Sequence, residues 1–411
     1  MTDKIMKNSV IIVGGGHAGL MLAAMLGTHG VPCTLIDRED PAKTLNADFD
    51  GRTTAISYGS RKLLEACKSW DDMNDEACPI KQIDILDGHN SKNILEFSSD
   101  EVNDNSFGWI IENRIIRKAL YNRIDNLKSV KIIAPAIVSD FSHDKDSINV
   151  HLEDSTIITG SLLVGADGRG STVRSYLNIP TRAWSYKQQA IVCTVEHEHS
   201  HDHIAVEHFR AEGPFAVLPM TDGPSGKHRS SIVWTEDAKP NKKSPLDFEQ
   251  DTFNLALQTR FPARYGEVKQ IGKRWGFPLS LNHAHHYIGN RAALVADAAH
   301  GIHPIAGQGL NLGIRDIAEL STHIVHAYAE NKDLGSPDLL TKYEKARRLD
   351  NMAMTGTTDM LNRLFSNESK ILGFARKTGM KAIAKTPIVK RFFMTQAMGS
   401  AGILPDIIRE A

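Results

Sequence analysis

The stretch SVIIVGGGHAGLMLAAMLGT, Ser9–Thr28, decides the fold. Its apolar start, Ser9–Val13, predicts a buried strand, and the Ala-, Leu- and Met-rich run His17–Thr28 predicts a buried helix. Between them, Gly14-Gly15-Gly16-His17-Ala18-Gly19 fits the spacing GxGxxG. The first glycine permits a tight turn, the second lets the backbone approach a pyrophosphate, and the third lets the helix pack on the strand. The stretch therefore predicts a dinucleotide site at the N-terminus of this helix.

A second strand, Pro32–Asp37, follows and completes the opening βαβ unit of a doubly wound sheet. Asp37 lies about 20 residues beyond the glycines, where an acidic side chain can accept the ribose hydroxyls. We expect Asp37 and the adjoining Arg38 to contact the cofactor. The glycine-rich turn by itself does not choose between NAD and FAD.

Two later segments, Leu163–Arg174 and Ala293–Asp316, favour FAD. In the second, a predicted strand delivers Asp297 to a ribose or ribityl hydroxyl, and the loop Pro304–Gly309 leaves the backbone free to lie against a planar ring. The following helix opens near Leu310, and its N-terminus can face the electron-rich edge of a reduced flavin. Taken singly, Asp297 could be a helix cap and the glycines an ordinary loop, but three such segments in this order indicate FAD.

Four further segments carry a family resemblance: Asp50–Ser57, Glu112–Arg117, Gly213–Pro219 and His303–Gly313. With them, nearly the whole chain resembles the ubiquinone-biosynthesis hydroxylases, FAD-dependent class A flavoprotein monooxygenases. The resemblance implies an α/β fold of the para-hydroxybenzoate hydroxylase type, in which a Rossmann-like FAD-binding domain is interleaved with a mostly antiparallel β-sheet substrate domain and followed by C-terminal helices. The implied FAD-binding domain comprises residues 1–80, 109–180 and 285–340, the substrate domain 81–108 and 181–284, and the C-terminal helical region 341–411.

The resemblance also implies roles for individual residues. Arg52, His303 and Pro304 are the expected catalytic residues, with the Pro304 carbonyl near the reactive flavin edge. The expected cofactor-binding residues are Gly14, Gly16, His17, Ala18, Gly19, Asp37, Arg38, Arg52, Asn113, Asp167, Arg174, Asp297, Pro304, Gly307, Gly309, Leu310 and Asn311. Phe215, Leu218, Pro219 and Pro278 are the expected apolar walls for substrate, and for each of them the alternative is a place in the core of the sheet.

Two positions within the third segment leave questions open. Ala296 stands where the family normally has glycine, and alanine fits there if its φ is negative. His300 is either a core or capping histidine or a functional one.

The implied activity is hydroxylation of the aromatic ring of a polyprenylated phenol in ubiquinone biosynthesis, with NAD(P)H and O2 as co-substrates. Such chemistry belongs to the flavin, so no catalytic dyad or triad is expected from the protein. One alternative is a class A hydroxylase of a small soluble phenol. Another is a noncatalytic FAD-binding scaffold of a biosynthetic complex.

Composition and minor motifs limit the classes of partner and metal site that the sequence predicts. The chain has 48 Lys and Arg against 49 Asp and Glu over 411 residues, which gives no overall attraction to nucleic acid. Its 4 cysteines are scattered, so neither a disulfide framework nor a structural zinc site is predicted. His197–His201 matches HExxH, but the flanking segments alternate like strands. We therefore expect a hairpin turn here rather than a helical zinc site, and no metal.

The segment Lys370–Ser400 has basic residues, no acidic ones and interleaved apolar residues. Either its apolar face packs on the body of the protein, or it lies on an anionic membrane surface. The membrane interpretation is favoured because polyprenylated substrates reside in bilayers. It implies a cytoplasmic protein that is peripheral to the inner face of the cytoplasmic membrane and able to assemble with other ubiquinone-biosynthesis proteins.

Overall fold

The computed structural model describes residues 8–88, 94–102, 105–210, 212–238, 243–302, 307–365, 379–380, 383–400 and 405–409. For residues 44 and 361–365 it describes the backbone alone. The helices are α1 His17–Thr28, α2 Pro41–Leu45, α3 Tyr58–Ala66, α4 Asn113–Asp125, α5 Thr172–Tyr176, α6 Gln250–Gln258, α7 Gln308–Ala329, α8 Pro337–Phe365, α9 Pro387–Ala397 and α10 Asp406–Arg409.

The strands alternate with these helices along the chain. They are β1 Val10–Val13, β2 Cys33–Ile36, β3 Thr53–Ser57, β4 Cys78–Ile80, β5 Gln82–Asp87, β6 Leu95–Ser98, β7 Gly108–Glu112, β8 Val130–Ile133, β9 Val138–His143, β10 Ile148–Leu152, β11 Ile157–Gly160, β12 Leu162–Gly165, β13 Thr181–His197, β14 Ile204–Phe209, β15 Phe215–Met220, β16 His228–Asp237, β17 Val268–Ala284, β18 Ile288–Gly289, β19 Ala292–Leu294 and β20 His300–Gly301.

A six-stranded sheet in the order β18-β19-β12-β1-β2-β8 forms the nucleotide-side layer. Its pairs are parallel except the edge pair β18–β19. Strand β1 lies at its centre, with Val10 in register with both Leu162 and Cys33. Helix α1 packs against the sheet, and its residues from Ala18 to Gly27 are buried. A strand and helix that are apolar all round are stable only as inner elements. The predicted βαβ opening is confirmed.

An eight-stranded sheet in the order β20-β17-β13-β16-β15-β14-β5-β6 forms the second layer. It is antiparallel except for β14 and β5, which run parallel. One face packs on α6 in a core that includes Ile191, Trp234 and Phe253. Two three-stranded sheets, β11-β10-β9 and β3-β7-β4, complete the architecture. The expected combination of a Rossmann-like layer and a mostly antiparallel sheet is therefore confirmed.

The expected hairpin between β13 and β14 is wrong. Strand β13 pairs with β16 and β17, whereas β14 pairs with β15 and β5. Alternation shows that a segment is a strand, but it does not show which strand it pairs with.

Helix α7 packs against α1 and α8, and α8 contacts β18 at the edge of the nucleotide-side sheet. The Tyr343 hydroxyl on α8 donates to the Leu294 carbonyl on β19 at 2.7 Å and fixes that contact. None of the described helices is both long and apolar enough to span a bilayer.

Candidate functional site

The glycine-rich turn brings three chain segments together. Gly14 has φ 107°, and a Cβ there would stand 2.5 Å from the Ala166 carbonyl oxygen at the end of β12. A Cβ on Gly19 would overlap the Gly14 carbonyl oxygen. Gly16 differs, because a Cβ there would meet open space. Two of the glycines thus serve close packing, and the third borders a cavity.

Helix α1 presents its N-terminus to that cavity. Its N-cap residue, Gly16, makes no side-chain capping bond, and Gly16, His17 and Ala18 all line the cavity. Backbone N–H groups in the first turn of a helix lack intrahelical partners and attract anions. This end of the cavity is suited to a phosphate group.

His17 is held next to the start of α4. Its Nε2 lies 3.3 Å from the Asn113 carbonyl oxygen. Burial, followed by the charge of Arg117, lowers the pKa of His17 to about 4, so the ring is neutral at pH 7. Asn113 is itself held, because its side-chain oxygen accepts from the Thr54 hydroxyl at 2.7 Å and its N–H donates to the Arg52 carbonyl at 3.0 Å.

Asp37 closes the turn from the β2 side. Its carboxylate accepts from the Gly15 N–H and, at 2.6 Å, from the Glu39 N–H. The contact with Gly15 ties the acidic side chain to the glycine-rich turn. Arg38 is exposed beside it.

Arg52 is positioned by two contacts. Its guanidinium lies 2.6 Å from the Asp50 carboxylate and 4.4 Å from the centre of the Trp275 ring. The Trp275 indole N–H donates to the Asp50 carbonyl at 2.7 Å, which completes the cluster. These contacts connect the loop before β3 to β17.

The second motif segment forms a turn that caps α5. One Asp167 oxygen accepts from the Thr172 N–H and hydroxyl at 2.7 and 2.9 Å, while the other is buried and has no partner among the described atoms. Arg174 donates to the carbonyls of Ala298 and Arg169 at 2.8 and 2.6 Å. Its guanidinium thus joins the second motif segment to the third.

The third motif segment exposes Asp297 to the cavity, where its side chain is 46% exposed and lies 3.4 Å from Arg169. The preceding Ala296 has φ 52°, so the condition of a negative φ is not met. Alanine therefore occupies a left-handed conformation that the expected glycine would adopt without strain. The Ala296 N–H donates to Asp316 at 3.1 Å, which holds the residue in place.

Asp316 is the centre of a buried polar network. It also accepts from His300 at 2.5 Å, Arg347 at 2.9 Å and Asn351 at 2.9 Å. Burial opposes ionisation of this carboxyl, but His300 and Arg347 outweigh it and lower its pKa to about 2. His300 is 1% exposed, and its bond to Asp316 makes it part of the core. No pattern in the sequence indicated this network.

Helix α7 presents a second uncapped N-terminus to the cavity. Its N-cap, Gly307, has φ 62° and no side-chain capping bond, and a Cβ on Gly309 would meet open space. Leu310 lines the cavity. The Asn311 side chain accepts from the Ser57 N–H at 2.9 Å and donates to the carbonyls of Ala55 and Gly307 at 2.9 and 3.1 Å. Asn311 thus fixes the start of α7 to β3. The predicted His303 and Pro304 lie outside the described residues.

These segments border one cavity of about 1300 Å³. Its nucleotide end is lined by Gly16, His17, Ala18, Gly168, Arg169, Asp297, Gly307, Gly309 and Leu310, and its other end by one face of the eight-stranded sheet, including Ala190, Val192, Ala205, Glu207, Phe209, Ala216, Leu218, Val233 and Pro278. The volume exceeds the roughly 300–1,000 Å³ of most small-ligand sites. It offers room for a dinucleotide and a second ligand.

Two of the expected substrate walls, Leu218 and Pro278, line this cavity. Phe215 does not, because it lies on the opposite face of β15 with its ring 6.0 Å from Trp234. Successive residues of a strand face opposite sides, so Ala216 and Leu218 face the cavity while Phe215 is in the core. Pro219 is buried outside the cavity lining. Sequence reasoning missed Glu207.

The histidine-rich segment after β13 places Cys78, His201 and His203 together, with candidate ligand atoms within 4.8 Å of one another. Both ring nitrogens of His201 are engaged, one with the Met220 carbonyl at 2.9 Å and one with the His203 N–H at 3.1 Å. Burial raises the pKa of the Cys78 thiol to about 12. A protonated thiol and an occupied imidazole favour a packed polar cluster.

Helix α9 closes the cavity from outside. Phe393, Met394 and Ala397 line the cavity, and Lys390 donates to Glu101 at 2.6 Å. The opposite side of the helix carries the exposed Ile388 and Phe392. The inner side of α9 packs on the body of the protein, which is one interpretation of the basic segment. Its outer side exposes apolar residues, which is what the membrane interpretation requires. Lys370, Arg376, Lys377 and Lys381 lie outside the described residues.

The donor set fits FAD. The two uncapped helix N-termini match the two electron-rich parts of that molecule, the pyrophosphate and the pyrimidine edge of the ring system. Gly16 and Gly309 leave space at those two points. Asp37 and Asp297 supply carboxylates at the ends of β2 and β19, where hydroxyl groups can donate to them.

Comparison with known proteins agrees with this geometry. A family model described as FAD binding domain matches residues 7–358. Ubiquinone hydroxylase UbiL of Rhodospirillum rubrum is 41% identical, covering 97% of this chain and 91% of that protein. The 3-demethoxyubiquinol 3-hydroxylase of Escherichia coli is 30% identical, covering 95% and 98%. Human mitochondrial ubiquinone biosynthesis monooxygenase COQ6 is 30% identical, covering 94% and 92%.

Solved structures share the fold. The p-nitrophenol 4-monooxygenase PnpA of Pseudomonas putida superposes with a TM-score of 0.79 at 17% identity, covering 97% of this chain and 100% of that chain. HpxO of Klebsiella pneumoniae, complexed with FAD and uric acid, superposes with a TM-score of 0.75 at 16% identity, covering 95% and 97%. At such identities the likeness establishes the fold alone.

Proposed function

This chain belongs to the FAD binding domain family of flavoprotein monooxygenases, and from that premise we propose that it hydroxylates the aromatic ring of a polyprenylated phenol in ubiquinone biosynthesis. NAD(P)H and O2 are the proposed co-substrates. The observation that carries the proposal is the cavity of about 1300 Å³, which is polar with two uncapped helix N-termini at one end and apolar at the other. Such a cavity can hold a dinucleotide beside an apolar aromatic ligand.

A bound FAD supplies the electron transfer and oxygen activation for such a reaction. The chain's own residues bind and orient. The N-terminus of α1 would bind the pyrophosphate, and Asp37 and Asp297 would accept from hydroxyl groups. The start of α7, fixed to β3 by Asn311, would face the pyrimidine ring. Apolar side chains from the sheet would exclude water from the reacting atoms.

The proposed division of labour follows the two layers. Residues 1–80, 109–180 and 285–340 would form the FAD-binding domain, 81–108 and 181–284 the substrate domain, and 341–411 a helical region at the membrane side. Both β5 and β6 pair within the eight-stranded sheet, and this supports the assignment of 81–108 to the substrate domain.

A membrane location is supported by α9. Its inner side lines the cavity, while Ile388 is 84% and Phe392 57% exposed on its outer side. A prenyl chain entering from a bilayer would therefore pass one helix before reaching the ring site. Arg391 and Lys385 are exposed near these residues and would face anionic headgroups. We place the protein at the inner face of the cytoplasmic membrane, in contact with other proteins of the same biosynthesis.

Turnover with defined rings tests the proposal. The FAD-loaded protein should oxidise NAD(P)H and form a hydroxylated product, seen by mass spectrometry, when given a polyprenylated phenol in detergent. Activity only on small phenols would replace the proposal with the soluble-phenol alternative. Bound FAD without ring-stimulated NAD(P)H oxidation would instead indicate a scaffold.

Two glycine variants test the cofactor site. Gly16→Val fills open space at the N-terminus of α1 and should abolish FAD retention, read from the flavin absorbance of the purified protein. Gly356→Val in α8 is the control, because a Cβ there also meets open space but Gly356 is outside the cavity lining and outside the three motif segments. Equal FAD content in both variants would contradict the assigned position of the pyrophosphate.

A further inference from the structure

The cavity contains one ionisable side chain that no other part of the site explains, Glu207 on β14. It lies in register with Ile85 of β5 and Ala216 of β15. Its neighbours on the same face of β14 are Ala205 and Phe209. Glu207 is thus a carboxyl group set into an otherwise apolar wall, with its free surface toward the cavity.

The carboxylate has no partner among the described side chains. Burial is the single cause that raises the pKa of Glu207, to about 7, and neither a hydrogen bond nor a nearby charge contributes. The other ionisable residues that line the cavity, His17, Arg169 and Asp297, belong to its nucleotide end.

The ionisable residues on the adjoining elements are engaged elsewhere. His208 lies 2.6 Å from the Gly88 carbonyl, and Asp84 pairs with Arg264 at 3.2 Å. Asp87, at the end of β5, is buried and has a partner of its own. Strand β15 carries no charged residue, and on α9 Lys390 pairs with Glu101 and Arg391 donates to the Val102 carbonyl.

A carboxylate buried without a donor destabilises the fold, and side chains of this kind concentrate at functional sites. None of the described residues supplies a donor to this carboxylate, and the cavity leaves a ligand as the group that can supply one. We propose that Glu207 is the group that accepts the ring hydroxyl of the substrate, first as a hydrogen bond and then as a proton during oxygenation. This inference rests on the proposed function and deepens it.

The proton balance is simple. The O–H bond of the substrate's ring breaks, a new O–H bond forms on a Glu207 carboxyl oxygen, and one negative charge moves from the carboxylate to the ring oxygen. No electrons leave either group. The charge that reaches the ring oxygen enriches the ring carbons toward an electrophilic oxygen. A carboxylate with a pKa near 7 is a better base for this step than an exposed glutamate.

The same charge selects the substrate class. At the sheet end of the cavity Glu207 would repel a ring that carries its own carboxylate, and no described cation lining that end compensates. The structure therefore favours neutral, decarboxylated phenols over prenylated hydroxybenzoates. The selectivity should be greatest above pH 7, where Glu207 is charged.

Three probes and three variants test the proposal. The probes are 2-geranylphenol, its O-methyl ether and 3-geranyl-4-hydroxybenzoate. Their dissociation constants are measured from the flavin spectrum of FAD-loaded protein between pH 6 and 9. The variants are Glu207→Gln, Glu207→Leu and, as the matched control, Glu96→Gln on the outer face of β6 in the same sheet.

The wild type and Glu96→Gln should bind the phenol about tenfold or more tightly than the ether at pH 8, as for a hydrogen bond to a charged group. Glu207→Leu should reduce that preference to near unity and bind the hydroxybenzoate more tightly than the wild type does. FAD content and ligand-free thermal stability should not fall, because the variant removes a lone charge from an apolar wall. If Glu207 had a purely structural role, Glu207→Leu would lower FAD content or thermal stability and leave the phenol-to-ether preference unchanged.

Turnover gives the second readout. The pH profile of kcat/KM for 2-geranylphenol should inflect near pH 7 in the wild type, and Glu207→Gln should lose that inflection. Unchanged phenol-to-ether preference and an unchanged profile in both Glu207 variants would overturn the proposal.

The proposed function can fail separately. If the wild type prefers the phenol through Glu207 but forms no hydroxylated product, the proposed function is wrong while the role of Glu207 in binding stands. If the wild type binds the phenol and its ether equally, the role of Glu207 is wrong whatever the turnover.

Discussion

The contact between Gly313 and Ala296 makes a specific prediction about the third motif segment. Gly313 lies in α7, and a Cβ placed on it would be 2.5 Å from the Ala296 Cβ and 3.1 Å from the Ala296 Cα. Ala296 cannot easily move, because its N–H is bonded to Asp316. Gly313→Ala should therefore destabilise the protein by steric overlap, and Ala296→Gly should relieve that overlap.

The magnitude follows from opposing contributions. Carbon atoms pack at about 3.5–4.0 Å, so the new methyl group would intrude by more than ~1 Å. Overpacking of this kind costs about 1–3 kcal/mol, and the greater helix propensity of alanine returns about 1 kcal/mol. The expected net loss of unfolding free energy is therefore at most about 2 kcal/mol. Ala296→Gly alone relieves about 1–2 kcal/mol of left-handed strain and loses about 0.4–1 kcal/mol to the more flexible unfolded chain. It should be neutral or mildly stabilising.

A double-mutant cycle measures the coupling. The four proteins are compared by the temperature at which FAD fluorescence appears on heating, and Gly313→Ala should lower it by about 2–4 °C per kcal/mol in a domain of this size. In the Ala296→Gly background the same change should cost clearly less, because only the 3.1 Å approach to the Cα of residue 296 remains. Gly356→Ala in α8, where a Cβ meets open space, is the matched control and should not destabilise. An equal loss in both backgrounds would refute the steric explanation.

Three further outcomes are expected. Asp316→Asn should lower the free energy of unfolding by about 3–5 kcal/mol, because it removes the charged acceptor that His300, Arg347 and Asn351 share. The part of that stability that depends on ionisation, about 2 kcal/mol from a pKa of about 2, should be present above pH 4 and lost as pH falls through 2, as followed by acid denaturation. The pKa of Glu207 is raised in the fold, so the wild type should lose stability relative to Glu207→Gln as the pH rises from 4.5 to 7. The difference in free energy of unfolding, measured by urea titration, should reach at most about 3 kcal/mol and stay constant above pH 7. Glu96→Gln should match the wild type throughout. Ile388→Ser with Phe392→Ser should weaken co-sedimentation with anionic vesicles without loss of FAD, and undiminished binding would remove α9 as the contact.

Local patterns predicted the elements with strong periodicity. Helix α1 spans His17–Thr28, the range that the sequence indicated, and β1 spans Val10–Val13 within the predicted Ser9–Val13. In both cases the apolar pattern and the bounding turn residues agree with the tertiary environment. The glycine spacing likewise indicated where backbone segments meet, since Gly14 and Gly19 stand at close approaches that a side chain would block.

Contacts between distant segments were beyond such patterns. Arg347 donates to Asp316, and Asn311 fixes α7 to β3. Both contacts join residues far apart in sequence, and an arginine or an asparagine in a sequence does not indicate which residue it will contact. Strand faces were equally undetermined. Both faces of β15 are apolar and buried, so its sequence has no polar face that would distinguish the core side from the cavity side. For this reason Phe215 was expected at the cavity.

Asp316, which is buried, and Glu207, which faces the cavity, show how a structural carboxylate differs from the proposed functional one. Asp316 receives four donors, from Ala296, His300, Arg347 and Asn351, and its pKa falls to about 2. Glu207 receives none from the part of the chain that the structure describes, and its pKa rises to about 7. A fold that surrounds one carboxylate with donors and leaves the other facing an apolar cavity gains stability from the first alone. The second is retained at a cost in stability, and a ligand that donates a hydrogen bond is the compensation that the cavity allows. Asp316→Asn should therefore lower stability regardless of ligand, whereas Glu207→Gln should change ligand preference and leave the fold as stable as before or more so.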